Sequence, residues 1–250
     1  MHALYNLAAW MAQPLVRRKL AARARAEPLY GQWVAERFGH AYAAPAVLRE
    51  DERPLWIHAV SLGETRAAAI LAQALRARRP GLRLLLTHGT ATGRAEGAKL
   101  LQAGDAQAWQ PWDTPAAVAR FLAHFRPRAG VLMETEIWPN LIAQSAAQGV
   151  PLALANARLS EKSLRAARRA AWLMRPAYAR LAAAWAQTDA DATRLRQMGA
   201  PVAGVFGNLK FDARPDPALL ALGQRWREQA RQAGRAIVML ASSRDGEEAA

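Results

Sequence analysis

Ala129-Gly130-Val131-Leu132-Met133-Glu134-Thr135-Glu136-Ile137-Trp138-Pro139-Asn140 changes character at its middle. Five apolar residues suit a strand buried on both faces, and two carboxylates follow with one residue between them. Desolvating an unpaired carboxylate costs several kcal/mol, so Glu134 and Glu136 mark the point where the strand leaves the sheet. Alternation along an extended segment puts both on one side. In open α/β sheets, ligands bind at that carboxyl edge.

Outward from this strand the chain repeats the alternation. Short apolar runs at Leu55–Val60, Arg83–Thr87, Ala106–Trp109, Pro151–Ala155, Ala183–Ala186, Val202–Phe206 and Ala236–Leu240 read as strands. Longer, alanine-rich stretches at Glu64–Arg78, Arg94–Gln102, Pro115–His124, Trp138–Gln148, Glu161–Arg175, Ala190–Met198 and Pro217–Gln232 read as helices. The pattern predicts βαβ units and an α/β fold with a doubly wound, mainly parallel sheet. Residues 207–217 read as the exit from it. One helix and one strand follow; a lone βα unit cannot bury its own apolar faces, so residues 213–250 read as a linker and the first piece of a second domain.

At 250 residues and 52% hydrophobic content, the chain can bury a substantial core. It has no cysteine, which excludes disulfides and thiolate chemistry. The formal charge is +14, and only Lys19, Lys99, Lys162 and Lys210 are lysines. Such an excess fits a polyanionic partner: an acidic membrane surface, a phosphorylated lipid or nucleic acid. Residues 1–16 are mostly apolar with Tyr5 and Trp10, and Arg17, Arg18, Lys19, Arg23 and Arg25 follow. That order reads as an anchor lying in, or barely crossing, an anionic leaflet. An amphipathic helix packed on the domain is the alternative. A secretory signal fits worse, because its charges would precede the apolar stretch.

Unusual polar residues recur just after the strands. His58-Ala59-Val60-Ser61-Leu62-Gly63-Glu64 sets Glu64 at a helix N-terminus, where the helix dipole would lower its pKa and keep it ionised as a base. Thr87-His88-Gly89-Thr90-Ala91-Thr92-Gly93 offers hydroxyls and backbone N–H groups to an anion, but lacks the phosphate-loop glycine–lysine pattern. His88 has no second histidine at metal-ligand spacing, so no metal site is expected. Asn156-Ala157-Arg158-Leu159-Ser160 and Gly207-Asn208-Leu209-Lys210-Phe211-Asp212 complete one rim carrying Glu, Thr, Arg, Asn and Lys. Lys210, in a chain so poor in lysine, suits an anionic centre.

Blocks 58–64 (HAVSLGE), 133–141 (METEIWPNL), 156–163 (NARLSEKS) and 207–212 (GNLKFD) resemble the Kdo (3-deoxy-D-manno-octulosonic acid) transferases of lipopolysaccharide synthesis, glycosyltransferase family 30. The apolar-then-basic N-terminus, Gln110-Pro111-Trp112-Asp113 and SSRDGEE at 242–248 support the likeness, which runs over essentially the whole chain. The resemblance implies a GT-B fold, two Rossmann-like domains facing across a cleft, of which this chain would hold the first and only the start of the second. It implies transfer of Kdo from CMP-Kdo to lipid IVA, the lipid A precursor, at the cytoplasmic face of the inner membrane, with no metal or organic cofactor. It places the general base on Glu64 and the transition-state-stabilising pair on Glu134 and Lys210. Ser61, Thr87, Thr90, Thr92, Glu136, Asn156, Arg158, Ser160 and Asn208 become candidate substrate contacts. The implied domains are a membrane-associating segment (1–26), an acceptor-binding Rossmann-like domain (27–212) and a truncated donor domain (213–250). Two departures stand out: residues 87–93 lack the proline of the usual TTMTPTG block, and Arg244 stands where STHEGEE carries histidine.

Two other readings compete. A fragment that only binds anionic lipid would show no catalysis. A nucleic-acid-binding domain is suggested by charge alone, and no RNA-binding aromatic motif, helix-turn-helix or zinc finger supports it.

Overall fold

The computed structural model describes residues 2–43, 52–213, 215–239 and 241. They fall into two compact units, Met1–Asp212 and Ala213–Ala250. The first is built on seven parallel strands: β1 (Leu55–His58), β2 (Leu84–His88), β3 (Ala106–Trp109), β4 (Ala129–Met133), β5 (Leu152–Ala157), β6 (Ala183–Ala186) and β7 (Val202–Val205). Their order across the sheet is β3-β2-β1-β4-β5-β6-β7. The connections run one way from β1 to β3 and the other way from β4 to β7. The order therefore reverses between β1 and β4, where such sheets open a crevice at their carboxyl ends.

The helices covering this sheet are α3 (Leu62–Arg78), α4 (Ala91–Ala98), α5 (Pro115–Phe125), α6 (Pro139–Ala147), α7 (Glu161–Arg169), α8 (Ala171–Ala179) and α9 (Asp189–Gln197). Alternation sends Trp56, Leu85, Leu132 and Leu154 into one core with Phe121, Leu141 and Leu195. Ile57, Leu84, Leu86 and Met133 enter a second core against Ala67, Ala68 and Ala72 of α3, where the small side chains let the helix lie close to the sheet. Burial on both faces explains the apolar run Leu84–Leu86 of β2, whose last two residues, Thr87 and His88, are buried polar groups.

The strands lie within a few residues of their sequence reading. The expected helix Glu161–Arg175 is instead two helices, because Ala170 leaves helical geometry at φ −110° and ψ 34°. The apolar N-terminus also divides, into α1 (His2–Met11) and α2 (Gln13–Ala24). Among the described residues no helix is long and apolar enough to cross a membrane. In the second unit, α10 (Pro217–Gln232) forms with Asp216 as its N-cap. Residues 236–239 of the expected strand Ala236–Leu240 are not a strand; an isolated strand has no neighbour to take its backbone hydrogen bonds. Residue 240 and the block at 242–248 lie outside the described residues.

Candidate active site

The reversal point sets the end of β1 beside the end of β4, and so brings Glu64 near Glu134 and Glu136. Glu64 is the third residue of α3, and its side chain folds back over the helix N-terminus. Ser61 is the N-cap, its Oγ accepting from Glu64 N at 3.3 Å and donating to Glu64 Oε1 at 2.9 Å. Val60 N donates to Glu64 Oε2 at 2.8 Å. The pKa expectation is corrected here. Burial pushes the Glu64 carboxyl above its ordinary range, the negative charges of Glu136 and Glu134 add to it, and the Val60 and Ser61 hydrogen bonds only partly oppose it. The helix N-terminus does not win because the group is largely withdrawn from water.

Glu134 follows β4 directly and lies in the left-handed region, at φ 56°. A non-glycine residue there stores of order 1–3 kcal/mol of strain. Its backbone is locked, with N donating to Ala155 O at 2.9 Å and O accepting from Arg158 N at 3.1 Å. Lys210 Nζ donates to Glu134 Oε1 at 2.9 Å, and Arg158 Nη2 stands 3.9 Å from Oε2. The Lys210 ammonium would lie 3.9 Å from a β-carbon built on Gly63, so it bridges the two strand ends. Glu136 Oε2 accepts from Trp138 Nε1 at 2.7 Å and lies 3.8 Å from His58 Nε2.

The remaining candidates divide. Buried Asn156, at φ 51°, holds the Lys210 segment through Nδ2 to Asn208 Oδ1 (3.3 Å) and Leu209 N to its own Oδ1 (3.1 Å). Asn208 Oδ1 also accepts from Lys210 N at 3.0 Å. These two asparagines shape the lysine's loop. Ser160 caps α7, and Thr90 caps α4 while donating to Val60 O at 2.9 Å. Thr92 and Arg158 are open to solvent. Thr87 is corrected: it is fully buried between Trp56 and His58, so it meets no ligand. His88 is buried too, its pKa lowered to about 3 chiefly by desolvation, and so holds as a neutral ring. Among the described residues no cluster of three ligating side chains could hold a metal ion.

Two residues of this region carry more structure than the sequence revealed. Asp113 caps α6 by accepting from Asn140 N (3.1 Å) and Leu141 N (2.8 Å), and takes the hydroxyl of Tyr5 in α1 at 2.7 Å. Trp112 Nε1 donates to Ala9 O at 2.7 Å. The N-terminal helix is thus tied to the same sheet edge as the carboxylates. A cleft of about 760 Å³ lies beside α1, lined in part by Leu7, Trp10, Arg17, Phe38 and Pro115.

A doubly wound α/β domain with an acid–base and cation cluster at its switch point is the class that fold and site define. Residues 32–213 match the family described as 3-deoxy-D-manno-octulosonic-acid transferase (kdotransferase). The chain is 49% identical to the 3-deoxy-D-manno-octulosonic acid transferase of Bordetella pertussis over 98% of its own length and 57% of that protein. It is 29% identical to the Haemophilus influenzae protein of that name over 94% of its length and 55% of that protein. A probable mitochondrial one from Arabidopsis thaliana is 35% identical over 66% of the chain and 36% of that protein. The chain belongs to the 3-deoxy-D-manno-octulosonic-acid transferase family, and spans little more than half the length of these relatives at most. Among solved structures, a UDP-GlcNAc 2-epimerase from Neisseria meningitidis bound to UDP-GlcNAc aligns at TM-score 0.46 and 15% identity, over 72% of this chain and 53% of that one.

Proposed function

We propose that the chain is the acceptor-side half of a GT-B glycosyltransferase that moves Kdo from CMP-Kdo to lipid IVA at the cytoplasmic face of the inner membrane. Residues 27–212 form the acceptor domain, residues 1–26 the membrane-associating segment, and residues 213–250 the start of the donor domain. The observation that carries this reading is the Glu64–Lys210–Glu134 cluster at the β1/β4 switch point. Glu64, raised by burial, is matched to take the proton of an acceptor hydroxyl as attack begins. Lys210 and Arg158 set positive charge where a sugar carboxylate and a departing cytidylate would gather negative charge. Glu134 fixes the ammonium in place. The apolar face of α1 lies on the same edge, which suits an acceptor with a phosphorylated head and acyl tails.

Transfer from CMP-Kdo to lipid IVA is measured for the chain joined to the C-terminal half of the Bordetella pertussis relative. Glu64→Gln keeps an acceptor for Val60 N, which Glu64→Ala would remove, while the Ser61 cap on the Glu64 backbone N–H is open to both variants. The expected result is a loss of at least about a hundredfold in kcat with unfolding temperature unchanged. Undiminished transfer by Glu64→Gln sinks the base assignment. Vesicle binding without any transfer by the unmutated chimera would favour the lipid-binding reading.

A further inference from the structure

His58 is completely buried at the end of β1, beside Thr87 of β2 in the sheet register. Trp56 Nε1 can only donate, so Thr87 Oγ1 accepts from it at 2.7 Å. The Thr87 hydroxyl proton then has His58 Nδ1 as an acceptor 2.8 Å away. The Thr87 carbonyl, 3.1 Å from the same nitrogen, already takes the Ala59 amide at 3.0 Å. An accepting Nδ1 puts the ring proton on Nε2. Nε2 is buried without a hydrogen-bonding partner among the described residues, and faces Glu136 Oε2 at 3.8 Å. The opposite tautomer would point a bare lone pair at a carboxylate and strand the Thr87 hydroxyl proton. A buried N–H left unmade costs of order 1–3 kcal/mol, so a short swing of the Glu136 side chain that closes the gap is favourable.

We infer that His58 is a positioning residue: Trp56 and Thr87 hold its ring with Nε2–H aimed at Glu136, and His58 and Trp138 together clamp that carboxylate at the switch point. Glu136 is one of the two carboxylates whose negative charge acts on Glu64, so the clamp fixes part of the field in which the base works. The strained β4 exit at Glu134 gives the loop a reason to need it: the carboxylate two residues on has no regular strand to hold it. The tautomer and clamp stand on geometry alone, while their catalytic consequence rests on the function proposed above.

Two measurements test the inference separately. In the 250-residue chain, ring nitrogen shifts of His58, assigned by their loss in His58→Gln, report the tautomer with no need of activity. An acceptor-type Nδ1 and protonated Nε2, with Glu136→Gln moving the Nε2 signal and sparing Nδ1, is expected. Protonation at Nδ1, or an Nε2 signal blind to Glu136→Gln, overturns the clamp. In the transfer assay, His58→Asn keeps the Thr87 side of the network and loses the reach to Glu136, whereas His58→Gln restores an amide donor near the Nε2 position. Asparagine should lower kcat roughly ten- to a hundredfold, with the acid limb of its pH profile displaced and KM little changed, and glutamine should recover most of it. Equal kcat and equal pH profiles in the two variants would make His58 merely structural. If the unmutated protein shows no transfer, the proposed function fails while the nitrogen shifts still decide the clamp.

Discussion

At the scale of single residues, Glu64 is asked both to cap a helix and to accept a proton, and its environment settles how. Desolvation raises its pKa, and hydrogen bonds from Val60 N and Ser61 Oγ pull the other way. A base works ionised, so the transfer rate should rise with pH through a midpoint above the ordinary glutamate value of about 4.3. Ser61→Ala removes one bond to the charged form and should move that limb higher still, which profiles of kcat/KM against pH would show. A limb at or below the ordinary value removes Glu64 as the base. Linkage has its own sign: a carboxyl raised by folding favours the fold at low pH, and that contribution is lost as pH rises through the raised value. Lys210→Met tests the cation. It should cost at least about tenfold in rate and of order 1 kcal/mol in stability, since Arg158 at 3.9 Å compensates Glu134 only in part. Which residues sit at the rim was legible in the sequence, because polar groups after apolar runs have few other places to go. The direction of the Glu64 shift was not, since burial depends on what packs above it. The setting of His58 was illegible for the same reason: its neighbours Thr87 and Glu136 are 29 and 78 residues away.

At the scale of elements, parallel strands announce themselves because burial on both faces turns them into apolar runs, and five of the described helices carry their Ser or Thr N-caps in the sequence. The break at Ala12 is marked by Pro14 in the first turn of α2, whereas the break at Ala170 had no mark, since alanine is the best of helix formers. Asp113 was unreadable in another way. Its partners come from α1 and α6, and no local spacing foretells a carboxylate that joins the N-terminus of one helix to a side chain of another. Burial pushes its carboxyl up, with the Tyr5, Asn140 and Leu141 bonds opposing. Tyr5→Phe withdraws one of three donors from a buried oxygen pair, at a cost of about 1–3 kcal/mol. The loss should be local: amide exchange along α1 should quicken while β1, β4 and α3 keep their protection. Uniform acceleration across the sheet would mean that α1 is part of the cooperative core and not a docked arm.

At the scale of the whole molecule, the charge of +14 and the exposed apolar face of α1 point the same way. Leu4, Leu7, Trp10 and Met11 are more than half exposed, and the basic residues of α2 follow directly. Ten residues of helix reach about 15 Å, half of the roughly 30 Å of hydrocarbon that a spanning helix must cross. Seated in the interface, α1 can bury its apolar face without desolvating its ends, and the cations beside it meet anionic headgroups. Two separable contributions follow. Arg18→Gln with Lys19→Gln removes two exposed charges worth about 1 kcal/mol each at an anionic surface, roughly a thirtyfold loss of vesicle affinity. Arg17 is left out because its guanidinium is stacked on Phe38 at 3.6 Å. Raising salt should erase that difference, as screening shortens to a few Å. Trp10→Ser should instead weaken binding by a similar factor at every salt concentration, because it removes apolar area and not charge. Co-sedimentation with phosphatidylglycerol vesicles over a salt series reads both. Equal binding to neutral and anionic vesicles would assign attachment to α1 alone, whereas salt-sensitive binding indifferent to Trp10→Ser would leave the charge without an anchor and return the apolar face of α1 to the protein's own packing.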